Sequence, residues 1–132
     1  MSQQVEVLVL DDEAIVCERL ADYLTKKGMS VETFTESPKA LDRLKEKAFD
    51  VVITDIKMEG PSGLDVLHFV RRQDPSTQVI IITGYGSIEN IRDAEFSGAF
   101  EFINKPFTSD AIEALTRKAA AKARKLAPAG DK

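Results

Sequence analysis

The chain has 132 residues, 43% of them hydrophobic and 30% charged, with a formal net charge of −4. That length fits one domain with a full apolar core, and the acidic balance argues against a dedicated nucleic-acid surface, which needs Lys and Arg in excess. The single cysteine, Cys17, excludes an internal disulfide and makes a reducing compartment the expectation.

The first residues, MSQQVEVLVLDDE, lack a basic region followed by a long apolar stretch, so no signal peptide is expected. No apolar run approaches the ~20 residues of a membrane span. The reading is a cytoplasmic protein with no membrane contact.

Val5 to Leu10, VEVLVL, is the first expected strand. Val16, Leu20, Tyr23 and Leu24 then recur at helical spacing, predicting a helix from about Ala14 to Lys27 that Gly28 stops. Ser30 to Phe34 is a second strand. Ser37 followed by Pro38 reads as an N-cap and first turn, opening a helix that carries Ala40, Leu41 and Leu44. Val51 to Thr54 is a third strand, with Asp55 to Gly63 as a loop. A helix with Leu64, Leu67 and Val70 follows, then a fully apolar fourth strand, Val79 to Ile82. After the loop GYGS, residues 87–97 form a weaker predicted helix. Ala99 to Ile103 is the fifth strand, and Thr108 to about Lys125 the last helix.

This is a strand–helix unit repeated five times, an α/β class with a parallel sheet covered on both faces. The domain is expected over 1–126, with 127–132 a polar tail or the start of a linker. In such sheets ligands and chemistry gather at the carboxyl ends of the strands. There the sequence puts Asp11, Asp12 and Glu13, then Asp55, then Thr83 and Gly84, then Asn104, Lys105 and Pro106. Singly these have ordinary readings: helix caps, a loop acid, a strand threonine, a surface lysine. Together on one rim they make a different set. Clustered carboxylates repel unless neutralised, and Mg²⁺, a hard cation, accepts oxygen ligands from one or two of them. An ammonium and a hydroxyl complete a set suited to phosphoryl transfer, which depends on positioning and charge neutralisation. A carboxylate can itself accept the phosphoryl group.

VLVLDDE, VVITDIKMEGPSGLDVL, VIIITGYGS and FEFINKPF, taken jointly, resemble the receiver domain of bacterial two-component response regulators over residues 5 to 125. The resemblance implies a flavodoxin-like (βα)5 sheet, doubly wound, in the order 2-1-3-4-5. It implies that Asp55 is the phosphoacceptor, served by a partner histidine kinase. Mg²⁺ (or Mn²⁺) would be held by Asp12 directly, Asp11 largely through water, the Asp55 carboxylate and the Lys57 backbone carbonyl. Lys105 would contact the phosphoryl oxygens, Thr83 would swing to hydrogen-bond them, and Pro106 would follow a cis bond. Phe102 stands where the family's switch aromatic is often a tyrosine. Lys57 and Tyr85 occupy the positions that tune dephosphorylation, with Lys57 obstructing the attacking water. The helix 4–strand 5–helix 5 face would mediate a homodimer or an output partner.

GYGS and GAFEFINKPF look most like receivers of sigma-54-dependent transcription activators, so the chain reads either as a stand-alone receiver or as a piece of a longer regulator whose output domain would lie outside it. The basic residues Arg117, Lys118, Lys122, Arg124 and Lys125 read as a solvated face or a partner surface, and the Ala-rich turns 119–123 as a means of close packing there. His68 is read as a surface or boundary residue and Cys17 as a small buried hydrophobe. Two alternatives fit less well. A haloacid-dehalogenase-like phosphatase wants Asp-x-Asp after the first strand, and an FMN carrier wants a phosphate loop where Asp11-Asp12-Glu13 repels phosphate.

Overall fold

The computed structural model describes residues 4–84 and 98–127. Five strands, β1 (Glu6–Leu10), β2 (Ser30–Phe34), β3 (Val51–Asp55), β4 (Gln78–Thr83) and β5 (Glu101–Asn104), form one parallel sheet in the order β2-β1-β3-β4-β5. Helices α1 (Ala14–Lys26), α2 (Ser37–Glu46) and α3 (Gly63–Gln73) and a C-terminal helix (Ser109–Leu126) cover it. The weaker helix expected over 87–97 lies outside the described residues.

Period-two alternation along the strands sorts the core into two layers. Val7, Val9, Val51, Ile53, Ile80 and Ile82 pack with Cys17, Leu20 and Leu24 of α1 and Ile112 of the C-terminal helix. Leu8, Leu10, Val52, Val79 and Ile81 pack on the other face with Ala40 of α2 and Val66, Leu67 and Val70 of α3. Both faces of β1, β3 and β4 are therefore apolar, which is why their sequences alternate so little.

Helix ends follow from local chemistry. Gly28 at φ 90° ends α1, with Gly28 N–H donating to Thr25 O and Met29 N–H to Leu24 O. This 6→1 and 5→2 pairing needs the left-handed conformation that glycine adopts freely. Ser62 and Asp65 cap α3 reciprocally. Thr108 caps the C-terminal helix, its hydroxyl accepting from Ala111 N–H at 3.1 Å.

Three local expectations shift. Asp55 and Thr83 are the last residues of β3 and β4 rather than the first loop residues, because the ladder continues through them: Asp55 pairs with Ile82 and Thr83 with Asn104. Ser37 is not the cap of α2. Glu36 takes that place without a side-chain bond, and Ser37 is buried inside the first turn. Ala119, Ala120 and Ala123 face this domain's own core, so of the Ala-rich turns only Ala121 is left exposed.

Candidate functional site

Register builds the site. β1 and β3 pair as far as Leu10 and Thr54, so the next residue of each, Asp11 and Asp55, emerge side by side. Thr83 ends β4 one residue beyond the partner of Asp55, and its carbonyl accepts from Lys105 N–H at 2.8 Å, fixing the start of the loop after β5. The Lys105–Pro106 bond is cis. Glu13, Asp55, Ile56, Lys57, Thr83, Gly84 and Lys105 line a cleft of about 420 Å³ at this rim.

Lys105 Nζ lies 2.9 Å from Asp11 Oδ2, 2.9 Å from Glu13 Oε1 and 3.1 Å from Asp55 Oδ2. Asp11 is fully buried. Its Oδ1 accepts from Glu13 N–H at 2.8 Å, whereas Oδ2 makes the ion pair but no hydrogen bond of acceptable geometry. Burial pushes the Asp11 carboxyl above its ordinary range despite the Lys105 ammonium and the Glu13 N–H, and the neighbouring Asp55 charge pushes the same way. Burial alone would lower the Lys105 ammonium, but the bonds to Asp11, Glu13 and Asp55 outweigh it and hold the group above its ordinary value.

Asp11, Asp12 and Asp55 bring carboxylate oxygens within 4.8 Å of one another. The donor set is all oxygen, and the buried Asp11 Oδ2 has the Lys105 ammonium at 2.9 Å but no hydrogen bond of good geometry. Both features suit a hard divalent cation, and the residues present fit Mg²⁺. Asp12 is exposed. Lys57 is exposed, and its N–H donates to Asp55 Oδ1 at 3.4 Å. Phe102 is half-buried against the α2–α3 layer of the core. Tyr85 lies outside the described residues. His68 is exposed on α3 and Cys17 is buried behind Asp11, its Sγ 3.4 Å from the Asp11 carbonyl oxygen.

The rim thus unites Asp11, Asp12, Asp55, Thr83 and Lys105. Sequence reasoning passed over the contribution of Glu13. The available signal was a long side chain at an N-cap, where a short Ser, Thr, Asp or Asn is preferred: Glu13 caps α1 with no side-chain bond.

The family model of the response regulator receiver domain matches residues 7–117. A putative response regulator NtrX-like protein of Rickettsia typhi is 36% identical over 88% of this chain and 25% of its own length. Transcriptional regulatory protein ZraR of Klebsiella oxytoca is 33% identical over 92% of this chain and 28% of its own. The solution structure of the beryllofluoride-activated NtrC4 receiver domain dimer is 31% identical, covers 89% of this chain and 97% of that one, and superposes with a TM-score of 0.83. The chain spans about a quarter of the length of the curated relatives it matches.

Proposed function

The chain belongs to the response regulator receiver domain family, and on that premise we propose that Asp55 accepts a phosphoryl group from a phosphohistidine on a partner kinase. The observation that carries this reading is the Lys105 ammonium 3.1 Å from the Asp55 carboxylate, itself one of three carboxylates able to hold a cation. Receiver domains are signalling modules rather than classical enzymes. The chemistry here is correspondingly a single transfer to the protein itself.

An Asp55 carboxylate oxygen attacks phosphorus, the P–N bond to the donor imidazole breaks, and the imidazole takes up a proton. Asp12 directly, Asp11 largely through water, the Asp55 carboxylate and the Lys57 carbonyl would hold Mg²⁺, which would neutralise charge on the phosphoryl oxygens. Lys105 binds a phosphoryl oxygen and Thr83 donates its hydroxyl to another. Lys57 lines the acceptor cleft; it and Tyr85, by their places in the family pattern, set how readily water removes the group, and Lys57 makes it long-lived.

The product adds roughly −1.5 to −2 charge at the rim. New contacts to Lys105 and Thr83 then favour one member of a pre-existing pair of states, with Phe102 moving alongside Thr83. The output face is that of predicted helix 4, β5 and the C-terminal helix. The beryllofluoride-activated NtrC4 receiver is a dimer, which supports phosphorylation-coupled dimerisation here. Relatives named as transcriptional regulators support an output in transcription, exerted by a domain outside 1–126. Among the described residues no helix is long and apolar enough to cross a membrane, and we place the protein in the cytoplasm.

The test is intact-protein mass spectrometry after incubation with acetyl phosphate, with and without Mg²⁺, on wild type and Asp55→Asn. One phosphoryl-sized addition that requires Mg²⁺ and disappears in Asp55→Asn is the expected result. No addition to wild type from either acetyl phosphate or a phosphorylated kinase overturns the reading.

A further inference from the structure

We infer that Glu13 is a positioning residue for Lys105, the anchor that keeps its ammonium over the Asp55 acceptor once a cation occupies the aspartates. This inference rests on the reading of Asp55 as phosphoacceptor and deepens it.

Glu13 occupies the N-cap of α1, yet its carboxylate makes no capping bond. It reaches instead to Lys105, 92 residues away in sequence, at 2.9 Å. It also lines the cleft with Asp55, Thr83 and Lys105. Its carboxylate is absent from the group of Asp11, Asp12 and Asp55 whose oxygens converge within 4.8 Å. The three partners of Lys105 are therefore not equivalent. Asp11 and Asp55 are candidate cation ligands, and a divalent cation between them both claims their oxygens and repels the ammonium. Glu13 keeps its carboxylate for Lys105. A lysine is a flexible point charge on a four-carbon stem, so its orientation must come from its partners. Without Glu13 the displaced ammonium is free to swing into solvent when the phosphoryl donor arrives.

The same carboxylate also adds negative charge at the mouth, which opposes an anionic donor. Glu13 is 59% exposed in its side chain, so that repulsion is screened by water and salt, whereas its contact to Lys105 is direct. Positioning is the larger effect.

Four variants and the wild type separate these roles. Phosphorylation by acetyl phosphate is followed over a Mg²⁺ titration. Glu13→Ala is expected to lower the rate at saturating Mg²⁺ by about 5-fold, the size of one partly exposed charge-assisted contact. The half-saturating Mg²⁺ concentration should stay within about 2-fold, as for a screened charge outside the ligand set. Glu13→Gln keeps an oxygen acceptor for Nζ and recovers part of the loss. In a Lys105→Met background Glu13→Ala should have no further effect, the signature of two residues acting through one contact. A readout independent of turnover is the Lys105 ε-methylene NMR signals of the Mg²⁺-loaded protein, which should be distinct in wild type and averaged in Glu13→Ala.

Faster phosphorylation in both Glu13 variants, a shift confined to the Mg²⁺ midpoint, or an equal loss with and without Lys105 each overturns the inference. Failure of the wild type to accept a phosphoryl group at Asp55 strikes the underlying reading instead. Normal Asp55 phosphorylation with an unaltered Glu13→Ala rate strikes this inference alone.

Discussion

Lys105 is one ammonium shared among three carboxylates, so none of the three is fully compensated. Asp11 bears most of the deficit because it is fully buried, and its carboxyl is held above the ordinary 3.8. A folded-state value above the unfolded one means folding favours the protonated acid. The corresponding stability is fully present below the unfolded value and is lost as pH rises through the folded one. At pH 7 and without metal, an ionised Asp11 therefore costs stability. Asp11→Asn should melt a few degrees higher than wild type in chelator at neutral pH, and the difference should shrink toward zero as pH falls below the ordinary carboxyl range. Saturating Mg²⁺ should reverse the order, because only the wild type gains the full binding free energy of the cation. Thermal melts at two pH values, with and without Mg²⁺, check this. A metal-free Asp11→Asn that melts lower than wild type at neutral pH would show that Lys105 compensates Asp11 after all.

Between elements, the acceptor depends on how closely α3 approaches the end of β3. Gly63, the first residue of α3, donates its N–H to Ile56 O at 2.9 Å. A Cβ at Gly63 would overlap the Asp55 carbonyl oxygen and lie 2.9 Å from Ile56 Cα and 3.0 Å from the Asp55 carbonyl carbon. These neighbours are backbone and cannot rotate away. Gly63→Ala should cost about 1–3 kcal/mol, the range for overpacking. It should also slow phosphorylation, since any relaxation moves the peptide that carries Asp55. Urea unfolding and the acetyl phosphate rate measure the two effects, and an unperturbed rate would place the strain wholly in α3. The element pattern was legible because covered strands leave apolar runs such as VVIT and VIIIT. The strand ends misled: Asp55 looks like loop by composition, and the strand expected to close at Ile82 runs one residue further, to Thr83. Asp11, Asp12, Asp55, Thr83 and Lys105 could be found because each sits at a strand end, a place that topology makes common. The contact made by Glu13 was less legible: a long side chain at the helix cap hints that the cap is unused, but the reach to Lys105 depends on the conformation of the loop after β5.

At the scale of the whole molecule, charge is unevenly placed. The rim gathers Asp11, Asp12, Glu13 and Asp55, while the exposed residues of the C-terminal helix include Lys118, Lys122 and Lys125 and an Arg117 paired with Glu113, and Glu101 is exposed on the edge strand β5. With Ala119, Ala120 and Ala123 committed to the core, that helix offers a partner little small-residue packing, and the exposed residues of its C-terminal half are mostly cationic. A two-fold contact across this face must therefore set the acids of one copy against the bases of the other, or like charges would oppose each other. The proposed phosphorylation-coupled dimer should then be salt-sensitive. Sedimentation velocity is expected to show a shift from monomer toward dimer on adding beryllofluoride and Mg²⁺ at low ionic strength. The shift should weaken at high ionic strength, as screening shortens the reach of exposed charges. Charge reversal at Glu101 (Glu101→Lys) should abolish the shift while leaving the acetyl phosphate rate intact, because Glu101 lies on the exposed edge and lines no part of the acceptor cleft. A dimer that tightens with salt would mean that apolar burial joins the copies, and would move the interface away from this helix.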